Sequence, residues 1–253
     1  MVFLLRRIGF YGAAFLVAVV LNFLIPRLMP GDPAATLFVS LRGKMNQETL
    51  EAIRLSYGFG GSLWDQFLAY LGKLIQGDFG ISTINFPQPA IEMLLYATGW
   101  TLFLVGVATL LSFAFGLVLG IYSAWYRGGT FDSVFTPVNV MMNAFTPAVV
   151  ALLLLYQFAL QWDWFPIGRA HDIDIDPGWH GAFLTSVLWH AVLPLTSLIV
   201  VSIGSWHLGM RNTMINLLNE DYILLARAKG LSTRRIMFRY AARNALLPQL
   251  TSL

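Results

Sequence analysis

Residues 99–123 read GWTLFLVGVATLLSFAFGLVLGIYS, a run with no charged side chain. A hydrocarbon core about 30 Å thick takes about 20 helical residues to cross. The run is long enough, and nothing in it would have to be moved out of water as an ion. Three further stretches qualify: 8–28, 134–160 and 183–206. The rest of the composition agrees. The 253 residues are 57% hydrophobic and 11% charged, with mean hydropathy +0.66, whereas soluble domains carry about 25% charge. So few charges cannot cover a water-facing surface. The expected fold is all-α, a polytopic transmembrane helix bundle with four spans.

There are no cysteines, which excludes a disulfide scaffold, a thiolate metal site and a cysteine nucleophile. Net charge is +3 and the pI about 9.3. In a membrane chain this points to loops facing anionic lipid rather than to nucleic acid, which is not an expected partner. Arg6 and Arg7 ahead of an apolar run could mark a signal peptide. The run from Ile8 to Leu28 is long enough to span and ends without a small-x-small cleavage site, so a retained first span is expected.

Lys and Arg set the orientation. With the N-terminus inside, the inner side holds Arg6, Arg7, Arg127 and seven basic residues of the tail after 206. The outer side holds Arg42, Lys44, Arg54, Lys73 and Arg169, a bias of ten against five. The outer loop 161–182 is acidic, with Asp163, Asp172, Asp174 and Asp176. The domains expected are an N-terminal span 1–28, an outer loop 29–98, and a core 99–253 that includes an inner loop 207–248. Two short helices are expected in the outer loop, around 46–56 and 63–76, forming either a cap or an ordinary surface loop.

The inner tail changes character. Residues 212–229 read as one helix, Gly230 as its stop, and Ser232 as the N-cap of a second helix. Leu231 and Ile236 flank that cap at staple spacing. Arg235, Arg239 and Arg243 recur every four residues, a solvated or lipid-headgroup face.

From Asp221 to Thr251 the tail reads DYILLARAKGLSTRRIMFRYAARNALLPQLT. It resembles the cytoplasmic EAA loop of ABC-importer permeases, in the branch that imports dipeptides, oligopeptides, nickel and some oligosaccharides. Tyr222, Ala226, Arg227, Ala228, Lys229, Gly230 and Leu231 match its first part. Arg243, Asn244, Ala245, Leu246 and Pro248 match its second. The leading Glu of the general pattern is replaced by Leu224, and Gly230 and Pro248 are eighteen residues apart, as in the peptide branch. Pro30-Gly31-Asp32-Pro33 and Gly77-Asp78-Phe79-Gly80-x-Ser82 carry the resemblance into the outer loop.

The resemblance implies a type I ABC importer permease-like bundle, usually of six spans. Four fall within these residues and the last two are missing. It implies a multi-pass subunit of the cytoplasmic (inner) membrane, in contact with membrane lipid and moving oligopeptides. Expected partners are a second homologous permease subunit, two ABC ATPase subunits and an extracytoplasmic substrate-binding protein. No cofactor and no catalytic residue are expected, because ATP would be bound by the partner subunits. The sequence agrees: it contains no G-x-x-x-x-G-K-[ST] phosphate loop. The same machine could import oligosaccharides or nickel instead, and a membrane enzyme or a non-transport membrane protein are further alternatives.

Other features remain open at this level. Asn139 and Asn143 share a face of the third span, as do Ser186 and His190 of the fourth. They either line a pathway or make interhelical hydrogen bonds. Gly116 and Gly120 form a G-x-x-x-G that serves packing within the chain or a dimer contact. Pro137, Pro147 and Pro194 interrupt the third and fourth spans. Asp172, Asp174 and Asp176 lack the glycine and glutamate of a calcium loop, and no metal site is expected. The charge bias makes one direct prediction: reporter fusions at Gly61 and at Ser232 score outside and inside, respectively, and the reverse pattern overturns the orientation.

Overall fold

The structure is a computed structural model that describes residues 2–28, 61–82, 85 and 88–253. The expected helix at 46–56 and the motif at 30–33 lie outside the described residues. The chain divides into two compact units, Met1–Thr98 and Gly99–Leu253.

In the first unit, α1 (Val2–Leu28) starts six residues before the expected span and takes in Arg6 and Arg7. Its side chains are apolar and exposed on nearly every face, as befits a helix whose solvent is lipid. Phe23 is an exception. It is buried, edge-on to Phe67 with ring centroids 5.0 Å apart, and under the Arg27 guanidinium at 3.8 Å. Arg27 also donates to Gln66 Oε1 at 2.9 Å.

Phe67 and Gln66 belong to α2 (Leu63–Ile75), the expected second short helix, which opens on a reciprocal capping box between Ser62 and Asp65. Beyond α2 the Gly77-Asp78-Phe79-Gly80 motif is a double reversal. Gly77 and Gly80 sit at φ +73° and +77°, and Asp78 Oδ1 accepts from the Gly80 amide at 2.9 Å. The Ala90 amide then donates to Gly80 O at 2.8 Å, starting the next helix.

That helix, α3 (Ala90–Trp125), extends nine residues ahead of the expected span. At 1.5 Å per residue it is about 54 Å long, well beyond one hydrocarbon core. The region expected as a single span, 134–160, is instead two helices. These are α4 (Thr130–Asn143) and α5 (Pro147–Leu154), the latter continued by a π-helical stretch, Leu155–Gln161. The two limbs bend by 100°. Thr146 is extended (φ −80°, ψ 145°) and Pro147 begins the new helix. The proline ring disfavours helical geometry in the residue before it, which forces the break at this point. Pro137, by contrast, is absorbed within α4.

Next, α6 (Gly181–Leu217) runs unbroken through Pro194 and eleven residues past the expected end of the fourth span. Among the described residues, three helices are therefore long and apolar enough to cross a membrane, and four if the bent pair counts as one. Then come α7 (Asp221–Ala228) and a helical run, α8, over 233–250. The single helix expected at 212–229 is thus the end of α6, a break at 218–220, and α7. Glu220 takes extended N-cap geometry, and Asp221 follows in the first turn, where a carboxylate favours a helix start.

The second unit is held by close helix approach. A Cβ on Gly116 would meet Trp206 Cβ at 2.5 Å, and one on Gly120 would meet His207 O and Met210 Cβ at 2.7 Å. The G-x-x-x-G pair is therefore used within the chain, to bring α3 against α6. Gly204 gives α6 the same access to α4, where a Cβ would meet Asn139 O at 2.6 Å. Replacing Gly120 by Ala is predicted to destabilise by about 1–3 kcal/mol, the usual cost of overpacking. Gly106→Ala, where nothing lies within 4 Å, is predicted to be neutral or slightly stabilising. Thermal unfolding in detergent measures both.

Candidate functional site

The residues singled out in the tail form a helix–turn–helix. α7 ends in a pair of nested hydrogen bonds: the Leu231 amide donates to Ala226 O at 3.2 Å, and the Gly230 amide to Arg227 O at 2.9 Å. This is a Schellman ending, which needs a left-handed residue at the position Gly230 occupies, φ +69°. A Cβ there would touch nothing within 4 Å, so the demand for glycine is conformational and not steric. Ser232 takes N-cap backbone geometry for α8, but its side chain makes no capping bond. The middle of α8, Ile236–Ala242, is π-helical.

The two faces of α7 differ. Ile223 and Ala226, three residues apart, are buried at 0% and 3% exposure. Leu224 and Leu225 are more than half exposed, and Ala228 is exposed with them. At helical spacing Ala228 sits beside both leucines. The face presented outward is therefore Leu224, Leu225 and Ala228, flanked by Arg227 and the C-cap residue Lys229. Ala226, one of the residues matched to the EAA loop, packs inside the chain's own core. Leu224, which stands where the general pattern has Glu, and Leu225 are the residues of this face that lie outside the matched motif. The spacing of four residues between Leu224 and Ala228 puts the two on one side of the helix, but nothing local decides which side faces outward.

Behind this face lies one continuous apolar core. Ile223 and Ala226 of α7 meet Met210 and Met214 of α6, Ile121 and Ala124 of α3, and Met237, Ala241 and Ala245 of α8. Tyr222 and Leu231 pack against it, and Asn244 Nδ2 donates to Tyr222 Oη at 3.3 Å. Arg227 lies over the Trp125 ring at 5.9 Å. Arg243 and Pro248 are exposed on α8. A displacement of α7 must therefore be felt at the ends of both long helices.

Polar pins reinforce the same region. Arg211 of α6 clamps Asp132 of α4 through two bonds, Nε to Oδ1 at 2.6 Å and Nη2 to Oδ2 at 2.7 Å. Thr136 Oγ1 and the Gly128 amide donate to the same carboxylate at 2.8 and 3.1 Å. His207, wholly buried, meets Ser123 Oγ through Nε2 at 2.8 Å. Gln249 donates to Thr213 Oγ1 at 3.3 Å. Asp132 carried no sequence signal, because its partner lies 79 residues away.

The other candidates lie elsewhere. Asn139 is buried and donates to Phe135 O, one turn back on its own helix, at 2.8 Å. Asn143 is exposed, with its Cβ 3.3 Å from where Gly204 would carry one. Ser186 and His190 hold the loop between α5 and α6. The Ser186 hydroxyl accepts from the Asp172 amide and donates to Asp172 Oδ2, both at 2.9 Å. His190 Nδ1 lies 2.8 Å from Ser186 O, and its Nε2 is 3.7 Å from Asp172 Oδ1. The structure thus keeps the asparagine and Ser–His pairs apart, each engaged in local bonding or packing.

Residues 116–253 match a protein family described as binding-protein-dependent transport system inner membrane component. Among similar proteins, the dipeptide transport system permease protein DppB of Lactococcus lactis subsp. cremoris (strain MG1363) is 30% identical over 249 residues, covering 98% of this chain and 75% of its own length. The oligopeptide transport system permease protein AppB of Bacillus subtilis (strain 168) is 29% identical over 232 residues, with 92% and 71% covered. The di/tripeptide transport system permease protein DppB of Pseudomonas aeruginosa (strain UCBPP-PA14) is 32% identical over 265 residues, with 98% and 77% covered.

The geometry at Gly230 gives a graded prediction. Gly230→Ala costs about 1–2 kcal/mol, the penalty of a left-handed L-residue, and Gly230→Val costs more. Gly230→Asn is close to neutral, because Asn tolerates that conformation. Equal losses in all three, read by thermal unfolding in detergent, would show that space and not φ decides.

Proposed function

The chain belongs to the binding-protein-dependent transport system inner membrane component family, and we propose that it is the permease subunit of an ATP-driven importer of peptides. The relatives above, named for dipeptide, oligopeptide and di/tripeptide transport, support that cargo. The observation that carries the mechanism is the outward apolar face of α7 beside a sharp turn, with the opposite face built into the core of α3 and α6.

In this reading the tail lies on the inner side of the cytoplasmic membrane. α7 and its turn seat in a groove on an ABC ATPase subunit, through Leu224, Leu225 and Ala228, with Arg227 and Lys229 at the rim. ATP is bound and hydrolysed by two such partners, and this chain supplies no cofactor site. When the ATPases close, α7 is carried with them. The shared core passes the displacement to α6 and α3, and the Asp132–Arg211 clamp extends it to α4. A second, homologous permease completes the pathway, and an extracytoplasmic binding protein delivers the peptide. Asn139, Asn143, Ser186 and His190 remain candidates for the pathway wall in an open state, once their present local bonds are exchanged.

The test is made in the full-length, assembled transporter. Leu225→Asp and Ala228→Trp each alter the exposed face and leave the buried one alone. Each is expected to lower uptake of labelled di- and oligopeptides about tenfold, the weight of one interface contact, while membrane insertion stays normal and ATP hydrolysis no longer follows transport. Normal uptake by both variants removes the docking role of α7. Loss of labelled cello- or xylo-oligosaccharide uptake alone, on deletion of the gene, assigns the cargo to sugars.

A further inference from the structure

A second surface of the tail is not used by the coupling reading. Between α3 and α8 runs a groove of about 520 Å³, walled by Ala114, Val118 and Ile121 on one side and by Phe238 and Leu246 on the other, with Arg239 and Arg243 in the same lining. Those two arginines also line an adjoining polar hollow of about 360 Å³, together with Arg235 and Tyr240. Both are exposed, and among the described residues neither has a carboxylate within ion-pair distance.

The dimensions suit one class of ligand. At 1.5 Å per residue, the wall from Ala114 to Ile121 runs about 10 Å along α3. That is about two-thirds of the depth of one leaflet of a 30 Å hydrocarbon core, room for part of an acyl chain. An apolar groove on a membrane-length helix, sharing with a polar hollow two arginines that have no carboxylate partner among the described residues, matches an acyl chain joined to an anionic headgroup. A soluble protein subunit could reach the arginines, but it could not follow the groove into the bilayer.

We propose that α3 and α8 together bind one anionic diacyl phospholipid, its phosphate against Arg239 and Arg243 and an acyl chain along Val118. The proposal rests on the placement of α8 at the inner membrane surface. The bound lipid would bridge a spanning helix and the segment that follows the Gly230 turn, so membrane charge would influence how firmly α8 is held.

The experiment uses the full-length permease in mild detergent, exposed to phosphatidylglycerol or phosphatidylcholine with identical chains, with bound lipid counted by native mass spectrometry. Wild type is expected to retain phosphatidylglycerol preferentially. The double change Arg239→Gln and Arg243→Gln should lower that retention about thirtyfold, from two basic residues near a charged headgroup, and abolish the preference. Val118→Trp, which fills the groove, should lower retention of both lipids together and keep the preference. No headgroup preference in wild type overturns the proposal. So does unchanged retention in the double variant, or a double variant that keeps its lipid and instead fails to assemble with the ATPase. Lipid retention is read without transport, so failure here leaves the importer reading untouched.

Discussion

The structure of the second unit depends on how closely α3 and α6 approach at Gly116 and Gly120. With any side chain at these positions the helices would have to separate, since the facing atoms are already 2.5–2.7 Å from where a Cβ would sit. In hydrocarbon there is little hydrophobic drive to bring helices together, and packing contacts of this kind supply the attraction. Everything beyond follows from that contact. It buries His207 against Ser123 and sets Met210 and Met214 in the core.

The second requirement is electrostatic. Asp132 and Arg211 are mostly shielded from solvent, with side-chain exposures of 7% and 17%. A partly buried ion is tolerated only when its hydrogen-bonding capacity is filled, and here each carboxylate oxygen accepts two bonds. The bidentate geometry is specific to Arg and fixes the relative rotation of α4 and α6. Close glycine packing sets the distance between helices, and this clamp sets their register. Together they fix how α3, α4 and α6 pack, and α7 joins them through the core that Ile223 and Ala226 share with α3 and α6.

The turn at the heart of the candidate site was readable from local chemistry. Gly230 at the end of a helical run, with Leu231 and Ser232 following, is a helix stop followed by a helix start, and all the forces that shape it act within six residues. The Gly77–Gly80 reversal and the capping box at Ser62 and Asp65 are of the same kind. The break between α4 and α5 was half readable: Pro147 announces a disturbance, but the 100° bend depends on what each limb packs against. The boundary at 218–220 was missed because apolar residues on both sides keep the helical period, and only the Asn219-Glu220-Asp221 cluster marks a fresh start.

By itself the sequence determined the solvent, the helical content, the position of the apolar runs and the reversal at Gly230. Each follows from composition over about twenty residues or from backbone preferences within a few. Tertiary structure alone decided that Ala226 faces inward and Leu224, Leu225 and Ala228 outward, that Gly116 and Gly120 serve an internal contact, and that Asp132 meets Arg211. It also decided that Ser186 and His190 are engaged by Asp172. These are choices between faces of a helix, and in a chain that is apolar nearly all round no hydrophobic period marks one face as the core. Only the neighbour that arrives there, from tens of residues away, settles it.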